Sequence, residues 1–336
     1  MARLYLLPAL SLVRGNAVCN VEVWTILRAF ETTQRWRLYG EWKTTMYRSH
    51  HELRVRQIQA DRESKGILRR LSHQTVDRLS SSVAKLAHSN PLILFTNAIS
   101  QVMAYDNLAG VVIQALSYAT VMELDVLLFV IIEAFSNPNK ARVKDDGVNT
   151  SDWLQSKLAY HSTYLLPADH RIGLASFTGL LFRKFSSDIT PLLKYTVHQL
   201  HSGQVSEIII LRELIWKIAG IEPLPNLTDS QIIAMAGGPN LRIEVLASAI
   251  RGARLDPQDS GTKGSGRLGK NIIESGLALP LLIQIAQQRQ ACVFQAPNAH
   301  LKSLANLYDT VRELCRIVKT FLTCTHTDAR CISAVS

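Results

Sequence analysis

What most limits the fold of this chain is one rhythm: apolar residues return every three or four positions, and a helix-stopping residue closes each run. In Lys85 to Leu108, "KLAHSNPLILFTNAISQVMAYDNL", the residues Leu92, Phe95, Ile99 and Val102 fall on one helix face, with Thr96, Asn97, Ser100 and Gln101 opposite. Asn90 stands where a side-chain oxygen can cap the helix, and Pro91 where a missing N–H costs nothing, so the pair marks a helix start. Asp106 and Asn107 break the run, and "AGVVIQALSYAT" then resumes the period. "MELDVLLFVIIEAF" follows, apolar nearly all round and therefore expected to be covered on several sides, with Asn137-Pro138 as its stop.

The same grammar continues through "ITPLLKYTVHQLHSG", "VSEIIILRELIWKIAG", "LTDSQIIAMAGG", "LALPLLIQIAQQR" and "LKSLANLYDTVRELCRIVKTFL". No alternating strand pattern of useful length interrupts it. The expected fold is all-α, a HEAT-like helical-pair solenoid, with a compact helical bundle as the alternative because no fixed sequence period is visible. Two stretches read as irregular: the charged loop Asn137 to Ser151, and Gly252 to Gly269, "GARLDPQDSGTKGSGRLG", whose composition is that of a flexible linker. The expected organisation is a helical-repeat domain over 1–251, a linker over 252–269, a further helical region over 270–322 and a divergent tail over 323–336.

Composition narrows the function class. The formal net charge of +10 favours acidic partners such as RNA, DNA or an acidic protein face. Five cysteines, unevenly spread and odd in number, do not make a secreted disulfide framework, which points to a reducing compartment. "MARLYLLPALSLV" mimics a signal peptide, but Pro8 interrupts it and no A-x-A-like cleavage site follows. No run reaches the ~18 apolar residues of a membrane span, so no membrane partner is expected.

Each chemical motif has a plainer reading. "GSGRLG" at Gly264 to Gly269 has the letters of a dinucleotide fingerprint but no preceding strand, and reads as loop. Cys315, Cys324, His326 and Cys331 lack the paired spacing of a zinc site, and His198 and His201 share a helix face without an acidic partner. Signatures of zinc proteases, P-loop enzymes and serine hydrolases are absent, so no catalytic, metal or cofactor residue is assigned. The basic segment is more informative. From Arg28 to Lys85 there are thirteen Lys and Arg against six Asp and Glu, with Trp36, Tyr39, Trp42 and Tyr47 interleaved. Cations beside stacking platforms suit RNA, with Arg35, Arg37, Lys43, Arg54 and Arg56 as contacts. The competing and favoured reading makes the aromatics core anchors and the charges a solvated face.

"QRWRLYGEWKTTMYRSH" (Gln34 to His50), the Lys85 to Leu108 motif, "DVLLFVIIEAF", "SDWLQS", "LASFTGLLFRKF", "GLALPLLIQIAQQR" and "LKSLANLYD" occur in the order in which they stand in the THO complex subunit 2 family. Over most of residues 5 to 322 the chain resembles that family's internal middle region. The resemblance implies a non-enzymatic nuclear scaffold, held with other THO subunits and with a DEAD-box RNA helicase of mRNA export. It also makes Lys85 to Leu108 a structural turn and helix, and any contact with mRNA ribonucleoprotein weak and non-specific. A stand-alone helical-repeat RNA-binding protein is the alternative, but code-like repeats would show a fixed period with matched polar pairs. Family members are several times longer than this chain. "YHSTYLLPADHRIG" (Tyr160 to Gly173) interrupts what is otherwise a direct passage from "WLQS" to "ASF" and is expected to bulge out as a surface loop.

Overall fold

The computed structural model describes residues 2–105, 108–142, 144, 151–154, 173–219 and 261–294, together with most of 301–319. All regular structure among these residues is helical, as the periodicity requires. The chain divides into two compact units, one of residues 1–142, 151–156 and 171–177, the other of 143–150, 157–170 and 178–336.

The first unit starts with a π-helical turn, Ala2–Leu6, that runs into α1 (Leu7–Leu12). It continues through α2 (Ala17–Leu27), α3 (Thr32–Glu41), a second π-helical segment Trp42–Met46, α4 (His51–Arg70), α5 (Val76–Ser89), α6 (Pro91–Ala104), α7 (Leu108–Ala115) and α8 (Val121–Phe135). The two π-helical segments have no counterpart in the sequence reading, since the extra residue per turn leaves no period of its own over five residues. α6 packs against α4 and α8, and α5 packs against α7. The stripe of Leu92, Phe95, Ile99 and Val102 is buried throughout. Beneath it Leu68, Val83, Val112, Leu127 and Phe177 meet Phe95 in an apolar interior.

Pro91 takes the first helical position as expected. Asn90 does something else. Its side chain makes no cap: Oδ1 accepts from the Tyr47 hydroxyl at 2.9 Å, while Nδ2 donates to the Ser11 carbonyl at 3.2 Å and to Ser89 Oγ at 3.1 Å. The residue is fully buried, and an interior polar group is held by whatever partners surround it, so tertiary hydrogen bonds displace the local cap. A real cap opens α2, where Asn16 Oδ1 accepts from Val18 N at 2.9 Å. One residue earlier, a Cβ on Gly15 would lie 1.8 Å from the Lys85 carbonyl oxygen, so only glycine allows these backbones to meet.

The second unit holds most of α9 (Leu174–Lys184), then α10 (Thr190–His201), α11 (Ile208–Ala219), α12 (Gly261–Glu274) and α13 (Ala278–Phe294). Two residues past the end of α10 stands Gly203, whose φ of 83° is the left-handed turn that a glycine supplies after a helix stop. α11 packs on α12, and α13 packs on α10. α12 departs from the expected linker: Gly261 to Gly269 is helical. Leu268 and Ile272 are buried, and the Arg267 guanidinium donates to the Arg183 carbonyl at 3.1 Å, so packing overrides a glycine-rich composition. Residues 252–260, "LTDSQIIAMAGG", nearly all of Tyr160 to Gly173, the tail 323–336 and Cys324, His326 and Cys331 lie outside the described residues.

Candidate interaction surface

The basic segment runs through α3, the second π-helical segment and α4 into α5, and three of its aromatics are spent inside. Tyr39, Trp42 and Tyr47 are buried. Trp42 Nε1 donates to Ser11 Oγ at 2.9 Å, and the Trp36 and Tyr39 rings each meet Phe129 edge-on at about 6 Å. Tyr39, Trp42 and Tyr47 are core anchors, withdrawn from any base that could stack on them.

Two of the five cations proposed for nucleic acid are turned onto α8. Arg35 forks onto Asp125, with Nε to Oδ2 at 3.2 Å and Nη2 to Oδ1 at 3.3 Å, and its guanidinium also donates to the Phe30 carbonyl and stacks over Trp24. The Tyr39 hydroxyl donates to the same carboxylate at 2.9 Å. Burial and the Asp125 charge together push the Tyr39 phenol well above its ordinary pKa. Lys43 Nζ reaches Glu133 at 2.6 Å. Higher on α8, fully buried Glu123 is matched by Asn20 of α2 and His88 of α5, with His88 Nδ1 at 2.5 Å, and Glu123 Oε2 accepts the Thr120 N–H at the helix start at 2.9 Å. Every carboxylate of α8 thus has a partner from an earlier helix. The hydrogen bonds of the His88–Glu123 pair are internal, which makes it a tie between helices instead of an acid–base site.

Arg37 and Arg54 remain on the outside, while Arg56 is half-buried. Arg37 is mostly exposed beside Glu41, Arg54 is exposed, and Arg56 lies 3.9 Å from Glu63. Below them a cleft of about 380 Å³ opens between the second π-helical segment, α4 and α6, with Ile58, Ile93 and Leu92 on its apolar side and Lys43, Asp61 and Arg62 at its rim. Although partial burial opposes it, hydrogen bonds from Lys65 and Asn97 hold the Asp61 carboxyl below the usual range. Thr96 Oγ1, in the wall of this cleft, is buried with no hydrogen-bond partner. The cleft was missed in the sequence, because its walls come from segments far apart in the chain.

In the second unit, His201 Nδ1 lies 3.4 Å from Gln284 Nε2 on α13. Among the described residues no group of three His, Cys, Asp or Glu stands close enough to hold a metal ion, and no helix is long and apolar enough to cross a membrane.

Residues 1–80 match the family model described as THO complex subunit 2 N-terminus, and residues 83–159 match that described as Transcription- and export-related complex subunit. The human THO complex subunit 2 is 39% identical over 305 residues, which is 90% of this chain and 18% of the human protein. The Arabidopsis thaliana THO complex subunit 2 is 34% identical over 308 residues, 90% of this chain and 16% of its own length. The Saccharomyces cerevisiae THO complex subunit 2 is 29% identical over 240 residues, 71% of this chain and 14% of its own length. The chain therefore spans less than a fifth of the length of these relatives.

Proposed function

Because the chain belongs to the THO complex subunit 2 family, we propose that it is a non-enzymatic, HEAT-like helical scaffold of a nuclear THO complex, coupling transcription to mRNA processing and export. Its partners in this reading are other THO subunits and a DEAD-box RNA helicase of mRNA export. The supporting observation is that α8 commits its three carboxylates to partners on other segments, Asp125 to Arg35, Glu133 to Lys43 and Glu123 to Asn20 and His88, so its charges tie helices together. A scaffold needs fixed faces, and ion pairs and hydrogen bonds between helices supply them.

RNA contact is auxiliary in this reading. Arg37, Arg54 and Arg56 offer charge while Tyr39, Trp42 and Tyr47 are buried, a composition for weak, salt-sensitive, sequence-blind binding. The direct test is affinity purification of the tagged chain from nuclear extract. Co-purification of THO subunits and the helicase, resistant to nuclease, is the expected result; recovery of RNA alone would overturn the scaffold reading in favour of a stand-alone RNA-binding protein.

A further inference from the structure

The turn between α4 and α5 carries a sequence that the scaffold reading leaves unused: Arg69-Arg70-Leu71-Ser72. Paired arginines two and three positions before a serine are the charge pattern selected by basophilic serine/threonine kinases, whose acidic clefts read those side chains. We propose that Ser72 is a phosphorylation site for a kinase of that class.

The local structure presents the serine and both arginines to solvent, with Leu71 between them buried. α4 ends at Arg70, Leu71 is extended with φ −76° and ψ 118°, and Arg69, Arg70, Ser72, His73 and Gln74 are all exposed. A kinase cleft takes an extended substrate, so the last turn of α4 must open. Just before that turn stands Gly66, where a Cβ would meet nothing within 4 Å. Packing does not require the glycine there, and its effect is to weaken the end of the helix.

The turn also survives loss of the serine hydroxyl. Thr75 Oγ1 donates to the Arg70 carbonyl at 2.6 Å and accepts from Ser72 N at 3.0 Å, while Thr75 N and Val76 N both donate to the Ser72 carbonyl. Ser72 Oγ adds one further bond to Thr75 Oγ1 at 3.0 Å. Esterifying Ser72 removes that last bond alone. In the reaction the γ-phosphorus of ATP forms a bond to Ser72 Oγ, its bond to the ADP oxygen breaks, and the hydroxyl proton passes to the kinase's base.

The product changes the charge of this corner. Arg69, Arg70 and Arg78 flank the turn with Asp77 as the only acid among residues 69–78. A phosphoserine brings about −1.5 to −2 charges, enough to cancel the local excess. The modification is therefore a switch that turns a cationic corner neutral.

The full chain, folded, is incubated with ATP and a kinase that selects arginine at those two positions, and the phosphorylated residues are mapped. Mapping separates Ser72 from Ser186, whose Arg183-Lys184-Phe185 prelude repeats the spacing. Phosphate at Ser72 is expected, with at least a tenfold lower rate there in Arg69→Ala/Arg70→Ala and earlier elution of the phosphorylated chain from heparin. Ser72→Ala, which keeps the Thr75 staple and so the fold, is the unmodified reference in that elution. Phosphate at Ser72 only after unfolding in urea, a rate indifferent to the arginines, or none at all would overturn the proposal.

Discussion

Arg35 and Asp125, ninety positions apart in sequence, meet as a two-pronged ion pair at 3.2 and 3.3 Å with both side chains largely withdrawn from water. The pair joins α3 to α8. Arg35→Ala should destabilise the chain by about 3 kcal/mol, because it strands a shielded carboxylate. Lys43→Ala should cost about 0.5 kcal/mol, since Glu133 stays in solvent. Urea unfolding of both variants checks the contrast; equal losses would mean that burial does not distinguish the two pairs.

Phe95→Ala should cost about 3 to 5 kcal/mol, the range for truncating a buried aromatic. Phe95 is 1% exposed and sits amid Leu68, Val83, Leu127 and Phe177. Thermal unfolding with an unchanged midpoint would place the core elsewhere.

Two glycines should respond in opposite directions to alanine. Gly15→Ala forces a methyl into the Lys85 carbonyl and should cost roughly 2 kcal/mol or more. Gly66→Ala, with open space around it, should stabilise α4 by about 0.5–1 kcal/mol. Paired denaturation curves decide this, and a stable Gly15→Ala protein would contradict the backbone contact.

Alkaline titration should find two silent phenols. Burial raises the pKa of both Tyr39 and Tyr47, in Tyr39 with the Asp125 charge adding to it. A raised folded pKa favours the neutral form, so this contribution is intact below about pH 10 and is lost as pH rises further. Absorbance of phenolate, followed beside circular dichroism, should show these two ionising only with unfolding. Their titration in a folded chain would refute their burial.

Arg37→Glu, Arg54→Glu and Arg56→Glu together should weaken binding to unrelated RNAs alike and reduce its salt dependence, with the slope falling by about one per lost phosphate contact. Fluorescence anisotropy across a salt series measures both. An unchanged slope in a folded variant would remove these arginines from any RNA contact.

The positions of the helices were written in the sequence, because a helix needs only local periodicity and local stops: the Leu92 to Val102 stripe, Pro91 at a helix start and Gly203 at a helix end all lie where the pattern puts them. The use of each polar residue was not. Asn90 has the identity of a cap and the surroundings of a core, Arg35 has the charge of an RNA contact and the partner of a structural ion pair, and Gly261 to Gly269 has a linker's composition in a helix whose Leu268 and Ile272 are buried. In each case the deciding neighbour is remote in the chain: Tyr47 for Asn90, Asp125 for Arg35 and Arg183 for Arg267. A buried polar group takes its partner from whatever the fold brings beside it, and that choice exists only once the helices have packed.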